Sequence, residues 1–253
     1  MHLLPGHTTK CGKLTLPLVI LLCAVAADAE VRVPAIIGDN MVLQQGVKVR
    51  IWGTAKPDER VTVTFNNHSS SAVANAHGHW EVLLGPLKAG GPFDLTLKGE
   101  NVLTIKNVLV GEIWLCSGQS NMEWPLINTV NGDDAVAHAN FPEIRLFTVE
   151  KHTSTTPLTD VEGRWVVTTP DEAAHFSAVG YFFGRELYER LKVPVGLIDS
   201  SWGGTPAEAW TSNDALRSVP ELKPILETLA RATRALRAAD FNADASDGHR
   251  MQP

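Results

Sequence analysis

Ser120 lies in Glu112-Ile113-Trp114-Leu115-Cys116-Ser117-Gly118-Gln119-Ser120-Asn121-Met122-Glu123-Trp124, where an apolar run ends abruptly in Gly-Gln-Ser-Asn. The pattern predicts a buried strand, a sharp turn and a helix starting behind it. A hydroxyl is thereby placed at the C-terminal end of a strand, where open α/β sheets form their ligand crevices. A serine on such a turn, beside glycine and free backbone N–H groups, has the setting of an acyl-transfer nucleophile. A second block, Asp199-Ser200-Ser201-Trp202-Gly203-Gly204-Thr205-Pro206-Ala207-Glu208-Ala209-Trp210, also runs from a strand into glycines, with Pro206 suited to the first position of a following helix. Adjacent glycines let the backbone approach a ligand closely, and N–H groups at a helix start favour negative charge. Beside an attacking serine this turn can supply an oxyanion hole, in which each donor is worth about 3 kcal/mol.

A serine hydroxyl needs a base to be a good nucleophile at neutral pH. His138, His152 and His175 fall in loops or helix starts between the two blocks and read as surface or packed histidines. Asp247-Gly248-His249 lies in a turn-rich tail with no strand or helix pattern to hold it in place. His77 and His79 flank a turn beside Trp80 with no third ligand nearby, so they read as solvated loop residues, and no metal is expected. Cys116 belongs to the apolar run and reads as a packed core thiol. Trp124 and Trp210 follow the two blocks and are placed to wall a pocket.

The elements that would hold these residues change character along the chain. Short β-prone runs at 41–43, 47–52, 60–65, 80–84, 93–97 and 102–108 are separated by turn signals such as Gly38-Asp39-Asn40 and Ala89-Gly90-Gly91-Pro92. In Val61-Thr62-Val63-Thr64-Phe65 the period of two puts Val61, Val63 and Phe65 on one face. This spacing predicts a small antiparallel sandwich. Beyond residue 108, strands at 113–117, 144–149 and 195–199 alternate with a helix over 176–191, in which Val179, Phe183, Leu187 and Leu191 stack on one face. Strand, helix, strand predicts a parallel sheet with right-handed crossovers. A last helix is expected from residue 214 to about 239, interrupted near Pro220 or Pro224, with Arg231, Arg234 and Arg237 on a solvated face. The fold class is therefore α/β: a small N-terminal β-sandwich-like domain (30–109), an α/β domain (110–240) and a disordered tail (241–253).

Composition sets the outer limits. Of 253 residues 44% are apolar and 20% charged, with a net charge of −6, which fits a globular protein. No basic block interleaved with aromatics occurs, so nucleic acid is not an expected partner. Lys10 and Lys13 precede an apolar stretch at 14–27 that ends in Ala27-Asp28-Ala29, the pattern of a cleaved signal peptide over 1–29. The stretch falls short of the roughly 20 residues a membrane span needs. Export to the periplasm or the extracellular space is expected, or to the lysosomal and secretory route in a eukaryote, with no membrane association after cleavage. The lone Cys116 then remains, so no internal disulfide is expected.

The two blocks together, Gly-Gln-Ser-Asn-Met-Glu-Trp and Ser-Trp-Gly-Gly-Thr-Pro-x-Glu-Ala-Trp, resemble the sialate O-acetylesterase family within the SGNH hydrolases. Gly38-Asp39-Asn40-Met41-Val42-Leu43-Gln44-Gln45, leading to Val49-Arg50-Ile51-Trp52-Gly53, is similar to that family's opening β domain. The resemblance implies an SGNH-type α/β/α domain with a flavodoxin-like parallel sheet, of which 110–240 would be the N-terminal part. It implies an esterase that removes O-acetyl groups from carbohydrates without metal or other cofactor. Ser120 matches the nucleophile, and its N–H with that of Gly203 or Gly204 would bind the oxyanion. Gln119, Asn121 and Thr205 fall in the matching motifs as substrate-orienting residues. The family's further motifs, Trp-x-Gln-Gly-Glu and the Asp-x-x-His that supplies the general base, do not occur in this chain. The expectation is an incomplete hydrolase whose C-terminal half is supplied by continued or separate polypeptide. Non-catalytic glycan binding is the alternative from another class. An uncovered half-sheet would also make the chain prone to self-association.

Overall fold

The computed structural model describes residues 30–247, Thr155 excepted, with side chains to residue 235. The expected signal peptide and His249 lie outside the described residues. The first strands are β1 (Val42–Gln44), β2 (Val49–Thr54), β3 (Arg60–Phe65), β4 (His68–Val73), β5 (His79–Leu84), β6 (Gly90–Lys98) and β7 (Val102–Gly118). Alternation decides which side of each strand is dry. Val61, Val63 and Phe65 of β3 are buried, as are Trp80, Val82 and Leu84 of β5, and all six join one apolar cluster with Ile51, Leu95 and Leu97. β2 and β5 form an antiparallel pair, while β4, β3, β6 and β7 run antiparallel in a separate sheet. The sequence pattern missed β4 because His68-Ser-Ser-Ser-Ala-Val carries little apolar signal. β4 is held as an edge by cross-strand hydroxyl pairs, Thr62 with Ser71 at 2.9 Å and Thr64 with Ser69 at 3.3 Å.

β7 joins what reads in sequence as two separate strands. Its first part pairs with β6, and residues 112–118 pair in parallel with β10 (Val195–Ser201). β10 also pairs in parallel with β8 (Phe141–Thr148), and β9 (Trp165–Thr168) closes the order β7-β10-β8-β9 in antiparallel sense. The three strands expected to be parallel are parallel. The sheet as a whole is mixed, because the chain between β8 and β9 returns without a crossover helix. The fold is thus α/β with a mixed sheet. Along 112–118 the side of β7 away from β10 carries no strand among the described residues.

The short helices are α1 (Ser120–Glu123), α2 (Gly132–Ala137) and α3 (Pro170–Ala174), and α4 (Ala178–Leu191) is the crossover into β10. Ser177 caps α4 by accepting the Gly180 N–H at 3.0 Å. Of the stripe foreseen in the sequence only Leu187 packs against the core: Val179, Phe183 and Leu191 are exposed, while Ala178, Gly180, Tyr181 and Gly184 are buried. Gly180 and Gly184 sit where the helix lies directly on the sheet. A Cβ at Gly180 would meet Cys116 Sγ at 2.9 Å, and one at Gly184 would meet Leu197 Cδ1 at 2.5 Å. Phe183 instead stands edge-on to exposed Trp114, ring centres 5.0 Å apart.

Arg145 fastens the opening Gly38-Asp39-Asn40 turn to the sheet. Its buried guanidinium donates to the carbonyls of Pro142 (2.8 Å), Asn40 (3.1 Å) and Asn107 (3.3 Å) and to Asn107 Oδ1 (3.2 Å). Asn40 and Asn107 are both left-handed, with φ of 68° and 58°, which asparagine tolerates. At the other end, α5 (Asn213–Arg217) and a 3-10 turn at Pro220–Leu222 precede α6 (Lys223–Asp247), so the foreseen interruption falls at Pro220. α6 carries helix into the segment expected to be a disordered tail, whose remainder (248–253) lies outside the described residues. Among the described residues no helix is long and apolar enough to cross a membrane.

Candidate active site

β7 ends at Gly118, whose φ of 145° turns the chain sharply into α1, with Gln119 as N-cap and Ser120 as first helical residue. Gln119 O accepts the N–H groups of Met122 (2.9 Å) and Glu123 (3.0 Å). The turn is braced from α4: the Ser177 hydroxyl meets Met122 Sδ at 3.4 Å, and the Ala178 N–H donates to Trp124 O at 2.8 Å. β10 runs beside β7 with Ser201 in register with Gly118, and the Trp202 N–H donates to Gly118 O at 2.9 Å. Parallel pairing therefore brings together two turns that are far apart in sequence. A Cβ on Gly203 would lie 3.5 Å from Ser120 Cα.

Ser120 is exposed, and its hydroxyl donates to Gln119 Oε1 at 3.3 Å. No histidine hydrogen-bonds it among the described residues. His138 pairs with Asp134 at 3.4 Å, His175 ends α3, and His152 lines a neighbouring cleft. The Gly203 N–H donates to Glu123 Oε2, and the other Glu123 oxygen meets the Lys151 ammonium. The Gly204 N–H has no partner among the described residues, and Gly204 takes a φ of 77° that glycine adopts without strain. The helix expected after Pro206 is a single 3-10 turn, Ala207–Trp210.

Thr205 holds the far side of the turn. Its hydroxyl donates to Trp202 O at 2.6 Å and accepts the Trp210 indole N–H at 2.8 Å. Trp202, Thr205 and Trp210 line a cleft of about 500 Å³ with Lys151, His152 and Ser154. Trp210 thus walls this cleft, whereas Trp124 points its indole N–H to Asn128 O at 3.0 Å and does not line it. Asn121 is exposed beside Ser120.

Beneath the turns lies a buried carboxyl. Asp199 Oδ1 accepts the Ser201 hydroxyl at 2.6 Å and sits in register with Cys116. Burial pushes the Asp199 pKa above the usual carboxylate value, against the opposing pull of the Ser201 hydrogen bonds. Burial, with Asp199 adding to it, pushes the Cys116 thiol up to about 11, so Cys116 is an inert core thiol. Among the described residues no cluster of three or more His, Cys, Asp or Glu is grouped to hold a metal.

No family model matches the chain. The human protein named sialate O-acetylesterase is 37% identical over 226 residues, covering 81% of this chain and 43% of its own length. The rat protein of that name is 34% identical over 245 residues, covering 83% of this chain and 45% of its own. The crystal structure of a carbohydrate acetylesterase from Xanthomonas citri superposes with a TM-score of 0.72 at 38% identity, over 77% of this chain and 45% of that one. The chain is homologous to the sialate O-acetylesterase family. It spans a little under half the length of the relatives it matches.

The relatives it matches are named as sialate and carbohydrate acetylesterases. Within that family frame, the structure brings Ser120, Gly203 and Gly204 together, with Gln119 and Thr205 close to them along the two turns. Sequence reasoning missed the roles of Glu123 and Lys151. Glu123 stood in the quoted motif without a role. Lys151 had no signal, because its partner is reached only through the fold. Asp199 was read as the end of a strand and is a buried carboxyl beside the site.

Proposed function

We propose that this chain carries the nucleophile and oxyanion-binding half of a carbohydrate O-acetylesterase site. The observation behind the reading is the meeting of the Ser120 turn with the Gly203–Gly204 turn across the ends of β7 and β10. Ser120 Oγ would attack the acetyl carbonyl, and backbone N–H groups of Ser120 and the Gly203–Gly204 turn would bind the oxyanion. The sugar hydroxyl would leave with a proton, and water would then release acetate from Ser120. Gln119, Asn121 and Thr205 would orient the ester. The proton needs a base, and on this reading a histidine from polypeptide outside this chain supplies it. The substrate would be an O-acetylated sugar, and the site would need no cofactor. Export follows from the signal-like 1–29 segment, with cleavage after Ala29, and N-terminal sequencing of secreted protein tests it.

The test is acetate release from acetylated methyl glycosides, comparing this chain with Ser120→Ala, each alone and mixed with the C-terminal half of a relative. Expected is hydrolysis by the mixture that Ser120→Ala abolishes. Hydrolysis that survives Ser120→Ala would overturn the assignment. A second reading, glycan binding without hydrolysis, is favoured by the Ser120 hydroxyl being engaged by Gln119 and by no histidine among the described residues. Saturable glycan binding with no acetate release in any mixture would establish it.

A further inference from the structure

Glu123 reaches from the last residue of α1 to the second turn. One carboxylate oxygen accepts the Gly203 N–H and the other holds Lys151, which comes from the chain leaving β8. The Lys151 ammonium also lies 6.0 Å from the centre of the Trp202 ring. A single carboxylate thus ties together the helix behind Ser120, the segment after β8 and the glycine turn after β10. The Gly203 N–H is spent on this bond, which leaves the Gly204 N–H, without a partner among the described residues, as the turn's donor to a ligand.

A carboxylate here has an electrostatic consequence. Any anion that forms on Ser120 is a near neighbour of Glu123, since Gly203 is packed against both. At the effective dielectric of a protein surface, two like charges about 6 Å apart repel enough to weaken anion binding about a hundredfold. A counter-charge on the carboxylate removes that penalty, and Lys151 supplies it.

We propose that Glu123 is a positioning residue that orients the Gly203–Gly204 turn for anion binding, and that Lys151 neutralises it so that the carboxylate does not repel the anion. The proposal rests on the assignment of Ser120 as nucleophile. Phenylboronic acid tests it without turnover: the serine oxygen bonds to boron, the hydroxyl proton passes to buffer, and a tetrahedral boronate anion forms where the oxyanion would. Binding to the full chain is read by boron NMR, and the Gly203 amide by its proton shift and exchange rate.

Lys151→Met should weaken boronate binding about a hundredfold. Adding Glu123→Gln to Lys151→Met should restore it to within about threefold of the unmodified chain, because the uncompensated charge is gone. Glu123→Ala should move the Gly203 amide shift and speed its exchange, and Glu123→Gln, which keeps an acceptor, should restore most of its protection. Losses that simply add in the Lys151→Met/Glu123→Gln variant would overturn the charge argument. A Gly203 amide unmoved by Glu123→Ala would overturn the positioning role. Boronate binding unaffected by Ser120→Ala would overturn the nucleophile assignment, while the Gly203 amide would still report whether Glu123 holds the turn.

Discussion

Gly203 and Gly204 are adjacent, yet the structure requires glycine at each for a different reason, and the difference can be measured. Gly204 has φ of 77° with nothing within 4 Å of a Cβ, so Gly204→Ala meets no atom and suffers only backbone strain. A left-handed L-residue costs about 1–2 kcal/mol, partly offset by about 0.5 kcal/mol from restricting the unfolded chain. The expected net loss is about 1 kcal/mol, which moves a urea midpoint by about 0.5 M at a slope near 2 kcal/mol/M. Gly204→Asn should cost roughly half as much, since asparagine tolerates this conformation. Gly203 is not in the left-handed region, but its Cβ would run into the Glu123 carboxylate. Gly203→Ala should therefore break the Glu123 hydrogen bond, at about 1–2 kcal/mol for a charge-assisted bond that is partly exposed. Asparagine should bring no relief there. In a Glu123→Ala background the Gly203→Ala cost should vanish, while that of Gly204→Ala should stay the same. Urea unfolding of the parent chain and these seven variants, Gly203→Asn and the two double variants with Glu123→Ala included, measures all of these. A Gly203→Ala penalty that persists without Glu123, or a Gly204→Asn as costly as Gly204→Ala, would refute the reasoning.

Four further outcomes are expected. Asp199 has its pKa raised by burial, so the stability it contributes is present at low pH and lost as pH rises from its unfolded value, near 3.8, through its raised folded value. Asp199→Asn, which keeps an acceptor for Ser201, should gain stability relative to the parent chain between pH 4 and neutrality in urea unfolding. Cys116, at about 11 against an ordinary 9.0, should be alkylated by iodoacetamide at pH 8 about a hundredfold more slowly than an exposed thiol, read by peptide mass spectrometry. Arg145→Met would leave the half-buried carbonyl oxygens of Asn40 and Asn107 without this donor, costing about 2 kcal/mol in thermal or urea unfolding. Trp114 and Leu115, 44% and 64% exposed beside the open side of β7, should drive self-association, and Trp114→Thr/Leu115→Thr should reduce it in sedimentation experiments.

What residue order alone determined here is local. The glycine after an apolar run announced the turn that presents Ser120, and the alternation of Val61, Val63 and Phe65 announced a one-sided strand, because both depend on the chain within a few residues. The serine-rich β4 escaped notice because its pairing comes from hydroxyls opposite it on β3. The stripe Val179, Phe183, Leu187, Leu191 had the right period, yet only Leu187 packs inward and the other three stay exposed, because periodicity defines a face without naming its partner. The sheet selected Gly180 and Gly184 because only small residues let the helix lie so close to Cys116 and Leu197. The same limit holds at the site. Sequence could nominate Ser120 and the Gly203–Gly204 turn separately, each from its own punctuation. That the two turns abut, that Glu123 occupies the Gly203 N–H, and that Lys151 answers its charge were decided by the parallel register of β7 and β10. Contacts between residues some 80 positions apart exist only once that sheet is built.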